Sequence, residues 1–221
     1  MKCRAALLAV CAALLLDVPV RPAEPTADEL ARAVQRKYQA VRDFSADFTQ
    51  QQTSVLRKRQ TERGKVAIKK PGMMKWDYTS PEEKHFVADG INSYLYIPQD
   101  RQVFIAPIPT GDQASTPILF LAGKGDLARD FTPSLTTAPP GTPPGARTLK
   151  LTPRTPQPEY DWLTLSVDAA TLSLVGLSAM DPQGAVTVFT FTNLKENVNL
   201  PVQLFAFKPP KGVEVVTDLT H

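Results

Sequence analysis

The stretch G64-K-V-A-I-K-K-P-G-M-M-K-W-D-Y-T-S-P-E-E-K-H-F-V-A-D89 decides how the chain folds. Apolar residues alternate through it, Pro71-Gly72 marks a turn, and the pattern reads as two β-strands followed by a third. One face collects long, soft or aromatic side chains, Met74, Trp76 and Tyr78, while Met73 points the other way. A cationic pair, Lys69-Lys70, sits where the first strand ends. Two readings fit such a sheet: an ordinary core, or the wall of a pocket for something apolar.

The 221 residues suit one domain with a sizeable core. Residues 1–23 read as a secretory signal peptide. Lys2 and Arg4 form a basic start, and Ala5 to Leu16 an apolar run of twelve. That run is shorter than the roughly 20 residues needed to cross a bilayer. Ala23 is a plausible last residue of the leader, leaving residues 24–221 as a single domain. Both cysteines, Cys3 and Cys11, lie in the leader, so the mature chain has no disulfide framework, thiol nucleophile or Cys-ligated metal. Val10 is too large to precede a lipidation cysteine at Cys11. Without Lys2, Arg4, Arg21 and Asp17, the 25 basic and 22 acidic residues become 22 and 21, a net charge of +1. Nucleic acid is not the partner that such a balance suggests.

Thr26 to Val41 reads as an amphipathic helix. Thr26 and Glu29 form a capping box, and Leu30, Val34, Tyr38 and Val41 share one stripe. From Phe44 the period becomes two, with a strand to about Leu56. Arg57 to Arg63 reads as a charged turn. Asp89-Gly90 and Pro98-Gln99-Asp100 bound further strands at 92–97 and 101–106. Thr116 to Gly123, TPILFLAG, reads as a short apolar helix, and one more turn is expected over 126–131. Thr136 to Gly145, rich in Pro and Gly, reads as a connecting loop. Strands are expected again at 147–151, 160–167, 172–179, 185–191, 203–207 and 213–216.

About ten antiparallel strands with two helices belong to the α+β class. A sheet that wide must curl, and two apolar-faced helices across its concave side would leave an apolar hollow. Convergent catalytic groups are scarce. Only His85 and His221 are present, the chain has no G-x-S-x-G elbow, and Gly123-Lys124-Gly125-Asp126 lacks the rest of a phosphate loop. Neither a catalytic residue nor a metal or cofactor site is expected, and the chain does not read as an enzyme.

Phe44-Ser45-Ala46-Asp47-Phe48-Thr49-Gln50 opens a run of modest motifs. Gly64, Lys69-Lys70-Pro71, Trp76-Asp77-Tyr78, Asp89-Gly90 and Tyr94 follow in order, then Thr116 to Leu121 and Phe205 to Val213. Together they resemble the LolA family of periplasmic outer-membrane lipoprotein carriers, over essentially the whole mature chain. The resemblance implies an unclosed half β-barrel with a helical lid over an apolar cavity. It implies a periplasmic monomer that takes triacylated lipoproteins from an inner-membrane ABC exporter and hands them to an outer-membrane receptor. A lipid or glycolipid carrier, or a lipid-sensing regulator of the same fold, is the alternative. In the family an Arg before the Pro latches the lid through its backbone. Lys70 holds that position here, with Tyr38, Ile118 and Leu121 as the implied lid partners. Lys lacks the planar five-donor fork of Arg, which implies a lid that opens more readily. The implied cavity wall comprises Met74, Trp76, Phe86, Tyr94, Phe104, Leu119 and Phe120, with plain core packing as the alternative for each. Met73 is the implied partner contact.

Overall fold

The computed structural model describes residues 24–54, 56, 59–108 and 125–217. The leader and the expected helix at 116–123, with Ile118, Leu119, Phe120 and Leu121, lie outside the described residues.

The first helix, α1 (Ala27–Ala40), begins as its sequence dictates. Thr26 Oγ1 accepts from the Glu29 amide, and Glu29 Oε2 accepts from the Thr26 amide at 2.8 Å. Leu30, Ala31, Val34 and Tyr38 form its buried stripe.

Twelve strands follow in one sheet: β1 (Asp43–Thr53), β2 (Arg59–Lys69), β3 (Met73–Ser80), β4 (Lys84–Asp89), β5 (Asn92–Ile97), β6 (Gln102–Pro107), β7 (Phe131–Thr136), β8 (Arg147–Pro153), β9 (Trp162–Val167), β10 (Leu174–Met180), β11 (Val186–Glu196) and β12 (Glu214–Val216). Their spatial order is β12-β6-β5-β4-β3-β2-β1-β11-β10-β9-β8-β7, so the sheet is open, with β12 and β7 at its edges. All pairings are antiparallel except β12 with β6, which is parallel.

The sheet is strongly curled. Three strand spacings separate β3 from β11, roughly 14 Å if the sheet were flat. Yet the rings of Trp76 on β3 and Phe189 on β11 lie 5.3 Å apart. Phe48 on β1 stands between them, 5.0 Å from Trp76 and 4.9 Å from Tyr78. Gly64 makes this approach possible. It lies between Phe48 and Tyr78 in register, and a Cβ there would fall 2.0 Å from the Asp77 carbonyl oxygen and 2.9 Å from the Phe48 ring.

The main core lies on the concave side, between α1 and the inward residues of the strands. A second, smaller buried set, Val87, Val103 and Phe205, is separate from it. Phe205 belongs to a 3-10 turn, Val202–Phe205, which packs on β3 and β4.

Four local expectations are corrected. Residues 203–207 are not a strand: Val202–Phe205 is that 3-10 turn, entered through Pro201, whose fixed φ and missing N–H disfavour a ladder. The helical turn near 126–131 stops at Asp130, and Phe131 begins β7 instead. Pro133 is tolerated there because β7 is an edge strand. The charged segment 59–63 is the start of β2 rather than a turn, because a strand can extend beyond the core with its polar residues solvated. Among the described residues the sheet has twelve strands against about ten expected, β7 being one that the sequence reading did not place.

Candidate functional site

The inner wall is built by period-two alternation. On β2 the inward residues are Gly64, Val66 and Ile68; on β3 they are Met74, Trp76 and Tyr78. Cross-strand pairing carries the same face onward: Trp76 opposes Phe86, Phe86 opposes Leu95, and Leu95 opposes Phe104. Met74 and Trp76 are buried, whereas Phe86, Leu95 and Phe104 are only half-buried. Helix α1 packs against β7, β8 and the helical turn Leu127–Asp130, far along the sheet from β4–β6. The wall of β4–β6 is thus a continuous apolar surface that α1 does not cover.

The structure places Tyr94 elsewhere. It opposes Val87, on the outer face, and its ring packs 5.3 Å from Phe207. Its hydroxyl donates to Asp89 Oδ2 at 2.9 Å. The inner position between Tyr94 and Tyr96 belongs to Leu95. Tyr94 is therefore removed from the cavity wall, because the returning C-terminal segment buries it from outside. Met73 is half-buried on the outer face, opposite Asp89.

Lys70 ends β2 and reaches across to α1. Its Nζ donates to the backbone carbonyl of Tyr38. Burial holds the Lys70 ammonium below the ordinary lysine range. The side chain of Tyr38 faces away from this contact, towards β10 and β11. Its hydroxyl accepts from the Leu174 amide at 2.7 Å and donates to Glu196 Oε1 at 3.3 Å. Burial, and then the Glu196 charge, push the phenol well above its usual range. Lys37 adds an ion pair to Glu196 at 2.9 Å and a hydrogen bond to the Thr171 carbonyl at 2.9 Å. The C-terminal end of α1 is therefore held from both sides.

A polar group stands on the inner face at the end of the wall away from α1. Lys84 Nζ lies 2.6 Å from Glu62 Oε1 and 4.2 Å from the centre of the Tyr78 ring. The Tyr78 hydroxyl donates to Gln50 Oε1 at 2.9 Å. Sequence reading missed Glu62 by treating its segment as a turn. Counting back in twos from Ile68 through Val66 and Gly64 would have placed it on the inner face.

A groove of about 620 Å³ occupies the opposite, outer face. Lys65, Lys75, Lys195, Asp47 and Asp77 line it together with Leu200 and Leu204 of the C-terminal segment. Its mixed charges are unsuited to alkyl chains. Among the described residues no three His, Cys, Asp or Glu side chains converge as metal ligands would. Among them, too, no helix is long and apolar enough to cross a membrane.

An open, curled sheet with a long apolar inner wall and a helix tied across one end is the architecture of a carrier for apolar groups. Residues 39–208 match the model of the family described as outer membrane lipoprotein carrier protein LolA, and the chain belongs to that family. An outer-membrane lipoprotein carrier protein of Methylococcus capsulatus is 31% identical over 180 residues, 81% of this chain and 83% of its own. Its counterpart in Legionella pneumophila is 31% identical over 84% of this chain and 89% of its own. A solved structure of an uncharacterized conserved protein from Thermus thermophilus shares the fold, with a TM-score of 0.51 at 14% identity, covering 85% of this chain and 97% of that one.

Proposed function

We propose that this protein is a periplasmic carrier of lipoproteins. It accepts the acyl chains of a lipoprotein released from an inner-membrane ABC exporter and delivers them to a receptor on the outer membrane. The observation that carries the reading is the apolar wall Met74–Trp76–Phe86–Leu95–Phe104, which α1 leaves uncovered over β4–β6. Membership of the carrier family supports the same cargo. The role asks for binding and release rather than bond making, and no step of it requires a catalytic group.

Burial of an acyl chain contributes about 0.8 kcal/mol per CH₂, so a wall of this length can keep several chains out of water. Release requires that no single fit be too tight. Met74 serves this, since an unbranched thioether side chain adapts to irregular neighbours. Lys70 serves as the latch: its single bond to the Tyr38 carbonyl ties the wall to α1, and a closed empty form competes with cargo. Met73, on the outer face, is the candidate contact with a membrane partner. Residues 1–23 act as the export signal, and residues 24–221 as the carrier domain, working as a monomer.

The test is release of a newly made triacylated lipoprotein from spheroplasts by purified mature protein. The expected outcome is a soluble complex of the two. Absence of any such complex, with clear binding of a free glycolipid instead, overturns the lipoprotein reading in favour of a glycolipid carrier.

A further inference from the structure

The inner face of β1–β4 changes chemistry along its length. Near α1 it presents Phe44, Ile68 and Met74; in the middle Phe48, Val66 and Trp76. At the far end it presents Gln50, Glu62, Tyr78 and Lys84. Gln50 opposes Glu62 directly across β1–β2, and Tyr78 opposes Lys84 across β3–β4. The four side chains form one connected group through the Glu62–Lys84 ion pair, the Lys84–Tyr78 ring contact and the Tyr78–Gln50 hydrogen bond.

This group is a poor device for stability. Glu62 is only 8% exposed, but the Lys84 side chain is 30% exposed, and an ion pair that solvent reaches contributes little. It also interrupts the surface that alkyl chains need. Its hydrogen-bonding capacity is not used up internally. Among the described residues Gln50 Nε2 and Glu62 Oε2 have no partner, and neither is sealed from solvent. The group therefore offers N–H donors from Gln50 and Lys84 beside a carboxylate acceptor from Glu62. That set complements a neutral ligand part carrying both carbonyl oxygens and an amide N–H. A ligand phosphate or free carboxylate would meet the Glu62 charge.

Resting on the carrier reading above, we propose that Gln50, Glu62 and Lys84, braced by Tyr78, form the subsite for the polar linkage of an acylated cysteine. Its ester and amide carbonyls accept from Gln50 and Lys84, and its amide N–H donates to Glu62. The acyl chains then run from Lys84 along the uncovered wall over Phe86, Leu95 and Phe104, and the cargo polypeptide leaves at the β1–β2 hairpin end. The subsite lets the carrier favour an acylated N-terminus over a bare fatty acid.

The experiment compares two ligands on the full mature chain: a synthetic triacyl-cysteine lipopeptide and a fluorescent fatty acid. In the double variant Glu62→Leu/Lys84→Met, lipopeptide affinity is expected to fall about tenfold while that for the fatty acid stays within about twofold, for two lost polar contacts. Gln50→Met leaves the ion pair intact and is expected to weaken the lipopeptide alone, by about threefold. Unchanged lipopeptide binding in both variants overturns the subsite and leaves the carrier reading standing. Equal loss of both ligands assigns the group to the fold and also overturns it. A parent protein that takes up the fatty acid but not the lipopeptide overturns the lipoprotein reading and the subsite together.

Discussion

Lys70 shows how much one side chain at a strand end can decide. Its ammonium is partly buried, which lowers its basicity, and its described bond is to a backbone carbonyl rather than a carboxylate. A hydrogen bond from a charged donor contributes about 1.5–3 kcal/mol when buried and less when solvent reaches it. Lys70→Leu removes it without disturbing the apolar wall. Acyl-probe binding is then expected to tighten by roughly three- to tenfold, because the closed empty form no longer competes. Hand-over to acceptor membranes should slow in step, and Lys70→Arg, which restores the five-donor fork, should weaken acyl-probe binding instead. Loading and transfer both unaltered in Lys70→Leu would remove the latch role. Gly64 matters for a different reason, since Phe48 and Tyr78 meet across the space its side chain would fill. Gly64→Ala is expected to destabilise the protein by about 2–4 kcal/mol in urea unfolding, as overpacking against backbone does.

Among the elements, α1 is the one whose position the site depends on. Its apolar stripe only says that it must lie on something; Tyr38, Lys37 and Gln35 say where. Tyr38 satisfies the Leu174 amide, Lys37 pairs with Glu196, and Gln35 accepts from the Leu127 amide at 2.9 Å. These bonds fasten one side of α1 to β10, β11 and the helical turn, opposite the side that Lys70 holds. Tyr38→Phe keeps the ring and the carbonyl that Lys70 uses, but leaves a buried N–H without its acceptor. The expected loss is about 1–3 kcal/mol in stability, read as a lower midpoint in urea. Affinity of the folded protein for an acyl probe should stay nearly the same. An equal fall in affinity would show that the hydroxyl acts on the cavity itself.

Over the whole molecule, the curl of the sheet turns twelve strands into a container. It brings Trp76, Phe48 and Phe189 together from strands that a flat sheet would hold apart. Trp76 is one of only two tryptophans, and the other, Trp162, stacks under Lys150. In a Trp162→Phe background, a quencher-labelled acyl chain should quench most of the remaining emission as it binds. Emission that stays constant through a saturating titration would place the chains away from this wall.

The sequence by itself determined much of this. Alternation from Gly64 to Asp89 put Met74 and Trp76 on one face and Met73 on the other, and the capping box at Thr26 and Glu29 set where α1 begins. These are local rules, because strand period and cap geometry depend on neighbours within a few residues. Alternation cannot say which face of a strand is inside when both faces find cover. The resemblance places Tyr94 on the wall, whereas the register turns it outward, where Phe207, 113 positions later in the chain, packs against it. Glu62 is hidden for another reason: its segment reads as a charged turn but extends β2, and direct pairing across β3–β4 sets Lys84 beside Tyr78. Residues 203–207 show β-like apolar composition, yet they turn to seat Phe205 against β3 and β4. Only the tertiary structure decided these points, because the energy of burial depends on what packs from the other side, and that surface comes from distant sequence.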